Sequence, residues 1–154
     1  MRNASDADLP ACAALVVGHA LFARYGLDAA GLETALRAGT ATGDQVLCAC
    51  DGSELLGMAW LVATGAFARS PYLRLLAIAG RAVGSGVGSR LMEAVEGSAF
   101  ARSDDLFLLV NDDNRSARRF YAGRGYVVVG HLRDYLRPGV HETIMRKHRP
   151  TARG

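Results

Sequence analysis

Leu75-Leu76-Ala77-Ile78-Ala79-Gly80-Arg81-Ala82-Val83-Gly84-Ser85-Gly86-Val87-Gly88-Ser89 is the stretch that decides the fold. Tyr72 to Ala79 is an apolar run of strand length, the pattern of a central strand. Gly84, Gly86 and Gly88 then alternate, and Val87, Leu91 and Val95 follow at a spacing of four, the repeat of one helix face. The stretch therefore reads as strand, glycine loop, helix. A helix leaves its first backbone N–H groups without internal acceptors, and its macrodipole favours an anion at that end. Glycine removes the Cβ that would hold phosphate oxygens away from those amides. A diphosphate is the natural guest. The spacing departs from two familiar phosphate loops. A dinucleotide fingerprint lies near the first strand and needs a third glycine where Ser89 stands. A nucleotide P-loop needs Lys and then Ser or Thr after its last glycine, and Gly88 is followed by Ser89 and Arg90. A loop that needs glycine only for its turn is the remaining alternative.

The second anchor lies about one element downstream. Leu106 to Val110 reads as another buried strand, and Asn111-Asp112-Asp113-Asn114 leads into Ala117, Phe120 and Tyr121, with Gly123 or Gly125 closing the helix. Asn114 is the cap, and Tyr121 sits seven residues on, two turns along the same face. A phenol ionises near pH ~10 and a thiol near ~8.5, so this tyrosine is protonated at neutral pH and can donate to a departing thiolate. The plainer reading places Phe120 and Tyr121 in the core as packing aromatics.

Outward from these anchors, Met1 to Ala4 reads as a very short strand. Ser5 and Asp8 form a capping box for a helix running through Cys12, Leu15, Val16, His19, Leu21 and Phe22. Asp28 caps a second helix with Leu32 and Leu36 on one face, ended by Gly39 and Gly43. Gln45 to Cys50, the Asp51-Gly52 turn and Leu55 to Val62 form a hairpin, and Gly65 to Pro71 a loop. Tyr126 to Gly130 and Val140 to Met145 are the last strands. The order gives a mixed α/β sheet with helices on both faces.

The chain has 154 residues, enough for one domain, and half of them are hydrophobic, which supplies a core. We read residues 1–148 as that domain and 149–154 as a tail, with the basic residues Arg146, Lys147, Arg149 and Arg153 running across the junction. The net charge of +3 suits an anionic small ligand, and no basic face is interleaved with aromatics as nucleic-acid binding requires. No window approaches the ~20 apolar residues of a membrane span, and no secretory leader pattern opens the chain, so the expectation is a cytoplasmic protein. Three cysteines, Cys12, Cys48 and Cys50, are an odd count, which argues against a disulfide framework. The four histidines lack metal spacing, so no metal site is expected.

With both anchors in hand, the chain resembles the GNAT superfamily of acetyl-CoA-dependent N-acetyltransferases over nearly its whole length. Leu75 to Ile78 followed by Gly84 to Ser89 looks like that family's cofactor motif, and Asn114, Ala117, Phe120, Tyr121 and Gly125-Tyr126 look like its closing helix and strand. The resemblance implies a single-domain, mostly antiparallel sheet of six to seven strands. It implies acetyl-CoA as co-substrate between two splayed central strands. Its pantetheine arm would run along Leu76, Ala77 and Ile78, and its diphosphate would sit on the amides of Gly84, Ser85, Gly86, Val87, Gly88 and Ser89. A backbone N–H near Ile78 would face the oxyanion, Asn114 would contact the arm or orient its helix, and Tyr121 would protonate the leaving sulfur. The acceptor would be a primary amine on a small molecule or peptide, with neither membrane nor nucleic acid as partner; a homodimer is admitted. The regions that build the acceptor site supply Phe22, Tyr25, Phe67, Arg69, Tyr72, Arg74, His131, Tyr135 and His141. Two positions depart from the family pattern. Val83 stands where the loop usually opens with Arg or Gln, and Leu109 stands where some members carry a Glu as general base. Asp134, His141 and Glu142 are the candidate bases left. The competing reading is a CoA-binding regulatory module without turnover, which would have no need of a phenol at 121.

Overall fold

A computed structural model describes residues 1–150; Arg153 and the rest of 151–154 lie outside the described residues. The strands are β1 (Arg2–Asn3), β2 (Gln45–Asp51), β3 (Glu54–Ala66), β4 (Ser70–Ile78), β5 (Asp105–Asn111), β6 (Val127–Arg137) and β7 (Val140–His148). The helices are α1 (Leu9–Val17), α2 (Ala20–Ala23), α3 (Ala29–Ala41), α4 (Val87–Phe100) and α5 (Arg115–Gly123). Among the described residues these seven strands form one sheet in the order β1-β2-β3-β4-β5-β7-β6, whose one parallel pair is β4 with β5.

Alternation along each strand sends side chains to two faces, and each face is covered by helices. Leu91, Met92 and Val95 of α4 pack with Leu61, Leu73, Leu106 and Leu108 on one face. On the other, Leu9, Cys12 and Val16 of α1 and Leu32 and Leu36 of α3 pack with Val46, Met58 and Trp60. Cys12 and Cys48 meet there as free thiols, their sulfurs 3.4 Å apart. Leu91 is fully buried at the centre of the α4 face. Leu91→Ala is therefore expected to cost about 2–5 kcal/mol, measured as a lower urea midpoint with an unchanged slope.

Several boundaries differ from the sequence expectation, among them β6 and β7, which run on to Arg137 and His148. The first helix breaks at Gly18 into α1 and the short α2. Gly39 does not end α3. A Cβ there would come within 2.6 Å of Asp44 and 2.9 Å of Trp60, so glycine serves a close approach inside the helix. The stretch expected as a loop from Gly65 to Pro71 is the tip of the β3–β4 hairpin, turned by Phe67 and Ala68 at φ 56° and 52°.

Candidate active site

The sheet opens at its parallel pair. β4 and β5 are in register only at Tyr72–Phe107 and Leu73–Leu108, and past Leu73 the strands part. Backbone direction in the gap follows from pairing on the far side. The Ala79 amide donates to the Leu56 carbonyl at 2.8 Å, and the register from Leu75–Trp60 to Ile78–Gly57 is unbroken. Hydrogen-bonded pairs alternate in an antiparallel ladder, so residues 75, 77 and 79 bond to β3. The N–H and C=O groups of Leu76 and Ile78 therefore face the gap, and both residues line it. Ala77 does not: its backbone faces Met58 and its side chain is buried between α1 and the sheet.

The gap broadens into a cavity of about 740 Å³, within the range that holds a cofactor-sized ligand. At one end stands the mouth of α4. Gly84 and Gly86 adopt φ of +82° and +83°, the left-handed region, and Gly86 caps the helix. A Cβ built on either meets nothing within 4 Å. Open space thus lies against the first-turn amides, and Gly84, Gly86, Gly88 and Ser89 line it. The side chains of the other two loop positions are used elsewhere: the Ser85 hydroxyl donates to the Ala82 carbonyl at 2.6 Å, and the Val87 side chain is in the core. Val83 is exposed, and Arg81 pairs with Glu54 at 2.5 Å rather than turning toward the loop.

α5 forms the opposite wall. The Asn114 side chain accepts from the Ala117 amide at 3.1 Å, which caps the helix and fixes its start at the cavity. Tyr121 is 7% exposed, edge-on to Phe120 and Tyr126, yet it lines the same cavity as the glycine loop. Burial, with Tyr72 close by, pushes its phenol above the ordinary value. No protein group among the described residues hydrogen-bonds its hydroxyl.

The cavity continues between α2 and the end of β5. Phe22, Tyr25 and Arg74 line this part. Arg74 occupies a bulge in β4, where the register to β3 shifts, and its guanidinium stacks 4.4 Å above the Trp60 ring. Phe67, Arg69, Tyr72, His131, Tyr135 and His141 do not line the cavity. His19, Arg24 and Asn111 do, without having been singled out in the sequence. Arg24 donates to Asn111 at 3.0 Å and to Asp113 at 3.2 Å, joining α2 to the segment before α5. A contact between residues so far apart in the chain leaves no local pattern. The three candidate bases also separate. Asp134 accepts from the Gly139 amide at 2.6 Å and its own amide donates to His141 at 3.2 Å, so both serve the β6–β7 turn. Glu142 is buried, and the Tyr25 hydroxyl donates to it at 2.5 Å.

The model of the acetyltransferase (GNAT) domain matches residues 22–149. This chain belongs to the GNAT acetyltransferase family. Solved structures agree on the fold. A GNAT-family protein from Desulfovibrio desulfuricans is 22% identical over 96% of each chain, with a TM-score of 0.80. A ribosomal-protein-alanine N-acetyltransferase from Brucella melitensis is 22% identical over 96% of this chain and 98% of its own, with a TM-score of 0.79. The yncA protein of Salmonella typhimurium, solved with its cofactor acetyl-CoA, is 16% identical over 99% of this chain and 95% of its own, with a TM-score of 0.78. No curated protein matches the sequence. This GNAT chain is an acyltransferase on a seven-stranded mixed sheet, and no helix among the described residues is long and apolar enough to cross a membrane.

Proposed function

We propose that the protein transfers acetyl from acetyl-CoA to a primary amine of a small molecule or peptide by direct attack, with Tyr121 as general acid. One observation carries this reading: the helix mouth at Gly84–Ser89, the free strand edge at Leu76 and Ile78, and the unpartnered phenol of Tyr121 line one continuous cavity. The residues suit acetyl-CoA in order. Unpaired first-turn amides beside open space suit a pyrophosphate. The outward N–H and C=O groups of Leu76 and Ile78 suit the amides of a pantetheine arm, as an added strand would. Acetyl-CoA supplies an acetyl group activated as a thioester. The chain places amine and thioester together, presents the Tyr121 O–H to the departing sulfur, and offers a backbone N–H of the opened strand to the developing oxyanion. Overall a C–N bond forms, the C–S bond breaks, and one proton of the amine is replaced by the acetyl group while the sulfur gains one.

A yncA structure with acetyl-CoA and a Brucella enzyme acting on ribosomal-protein alanine support donor and acceptor classes of this kind. Release of free CoA, followed with a thiol reagent across amino acids, polyamines, aminoglycosides and peptides with free N-termini or lysines, tests the proposal. Amine-dependent release is the expected result. Tight acetyl-CoA binding with no release above the amine-free rate across the panel would mark a binding module and overturn it.

A further inference from the structure

Glu142 is the anomaly the acetyl-transfer reading leaves over. It is 2% exposed on β7, directly opposite Asn111 of β5. Among the described residues no Lys or Arg pairs with it; the Tyr25 hydroxyl donates to it at 2.5 Å, and the Asn111 side chain also hydrogen-bonds it. A buried carboxylate without a cation is costly, and such groups cluster where chemistry needs them. Glu142 does not line the cavity itself; its neighbours Tyr25 and Asn111 do, and of these two only the Tyr25 hydroxyl can pass a proton. The same wall carries Arg74 of the β4 bulge, at the point where the strands part.

We infer that Tyr25 and Glu142 form a proton relay that takes the proton from the acceptor's ammonium group, with Tyr25 as the residue that touches the acceptor and Glu142 as the positioning residue behind it. This rests on the acetyltransferase reading above. An amine arrives at neutral pH as its ammonium, which has no electron pair for attack. Its N–H proton passes to the Tyr25 oxygen as the Tyr25 hydroxyl proton passes to Glu142. The nitrogen keeps the electron pair, Tyr25 remains a phenol, and Glu142 becomes a neutral acid. One positive and one negative charge are removed together, which suits a dry site. After product leaves, the Glu142 proton returns to solvent.

The groups around Glu142 fit this role. Burial holds its carboxyl above the ordinary value; the Tyr25 hydrogen bond and Asn111 oppose that, Asp112 adds to it, and Arg24 opposes it weakly. Tyr72 on β4, pushed up to about 12 chiefly by burial, faces the same group and stays neutral. Tyr25 is raised by burial and by Glu142 itself, so it relays a proton without ionising. The carboxylate is therefore the one member that changes charge.

The test measures kcat/KM against pH for wild type, E142Q, Y25F and the double variant, using two amines from the accepted panel with well-separated pKa values. E142Q is expected to lose about 10- to 100-fold at pH 7 and to recover as the pH nears the amine's own pKa, because a free amine needs no base. The recovery should move with the amine. Y25F should behave alike, and the double variant should be no worse than the worse single, as for two members of one path. Thermal melting gives a readout independent of turnover. A carboxyl raised on folding lowers stability as pH climbs from its unfolded value to its folded one. E142Q should therefore melt above wild type at neutral pH, with the gap closing toward about pH 4. A pH-independent loss in E142Q, no loss, or a melting point below wild type at pH 7 would overturn the relay. Wild type inactive on every amine would instead overturn the acetyltransferase reading, a distinct outcome.

Discussion

Tyr121→Phe is expected to cut kcat about 10²-fold while leaving acetyl-CoA affinity within about twofold of wild type. The split follows from what the side chain contributes. Its ring packs between Phe120 and Tyr126, and phenylalanine keeps that packing. Only the hydroxyl is lost, and among the described residues it has no protein partner whose desolvation would then count against the fold. The variant should melt near wild type. The pH dependence is also fixed in sign. Burial raises the phenol, so Tyr121 keeps its proton through the whole neutral range and begins to lose it only above its ordinary value. The rate ratio between wild type and variant should therefore stay flat up to about pH 10. Equal turnover in the two proteins would remove the hydroxyl from the chemistry.

Gly86→Val is expected to weaken acetyl-CoA binding by at least about tenfold, equivalent to ~1.4 kcal/mol. Two effects act in the same direction. A β-branched residue at φ +83° is strained by roughly 1–3 kcal/mol, which pulls the cap away from its present turn. The new side chain also enters the open space beside the first-turn amides, where a phosphate oxygen must come close. Calorimetry with acetyl-CoA reads the loss, and far-ultraviolet circular dichroism checks that the helix persists. Unchanged affinity in a folded variant would mean that the pyrophosphate rests elsewhere.

Much of this was legible in the chain. The run from Tyr72 to Ala79, the alternating glycines and the four-residue spacing of Val87, Leu91 and Val95 specify strand, loop and helix by local pattern alone, and β4, Ser70–Ile78, and α4 follow it closely. Asn114 and Tyr121 are placed by helix geometry from the cap, so their common wall could be read from spacing. Ala77 shows the limit. A strand's side-chain alternation is visible in sequence, but which backbone groups face which neighbour depends on register, and here the register gives Ala77 to Met58. Ser85 differs too, since its hydroxyl closes a turn on the Ala82 carbonyl instead of lining the cavity, whereas the burial of Val87 follows from its spacing with Leu91 and Val95. The β6 strand runs to Arg137, well past Gly130, because the pairing partner β7 carries it through an irregular register. The acceptor end was the least legible. Tyr25 was in view, but its hydrogen bond to Glu142 and the meeting of Arg24 with Asn111 join residues that only the folded sheet brings together.

The most direct measurement of the central claim is a crystal structure of the protein with acetyl-CoA or CoA. The account predicts the pyrophosphate on the amides of Gly84 to Ser89, the pantetheine bonded to Leu76 and Ile78, and the sulfur within about 3.5 Å of the Tyr121 hydroxyl. A pyrophosphate away from the mouth of α4, or a sulfur out of reach of that hydroxyl, would contradict it.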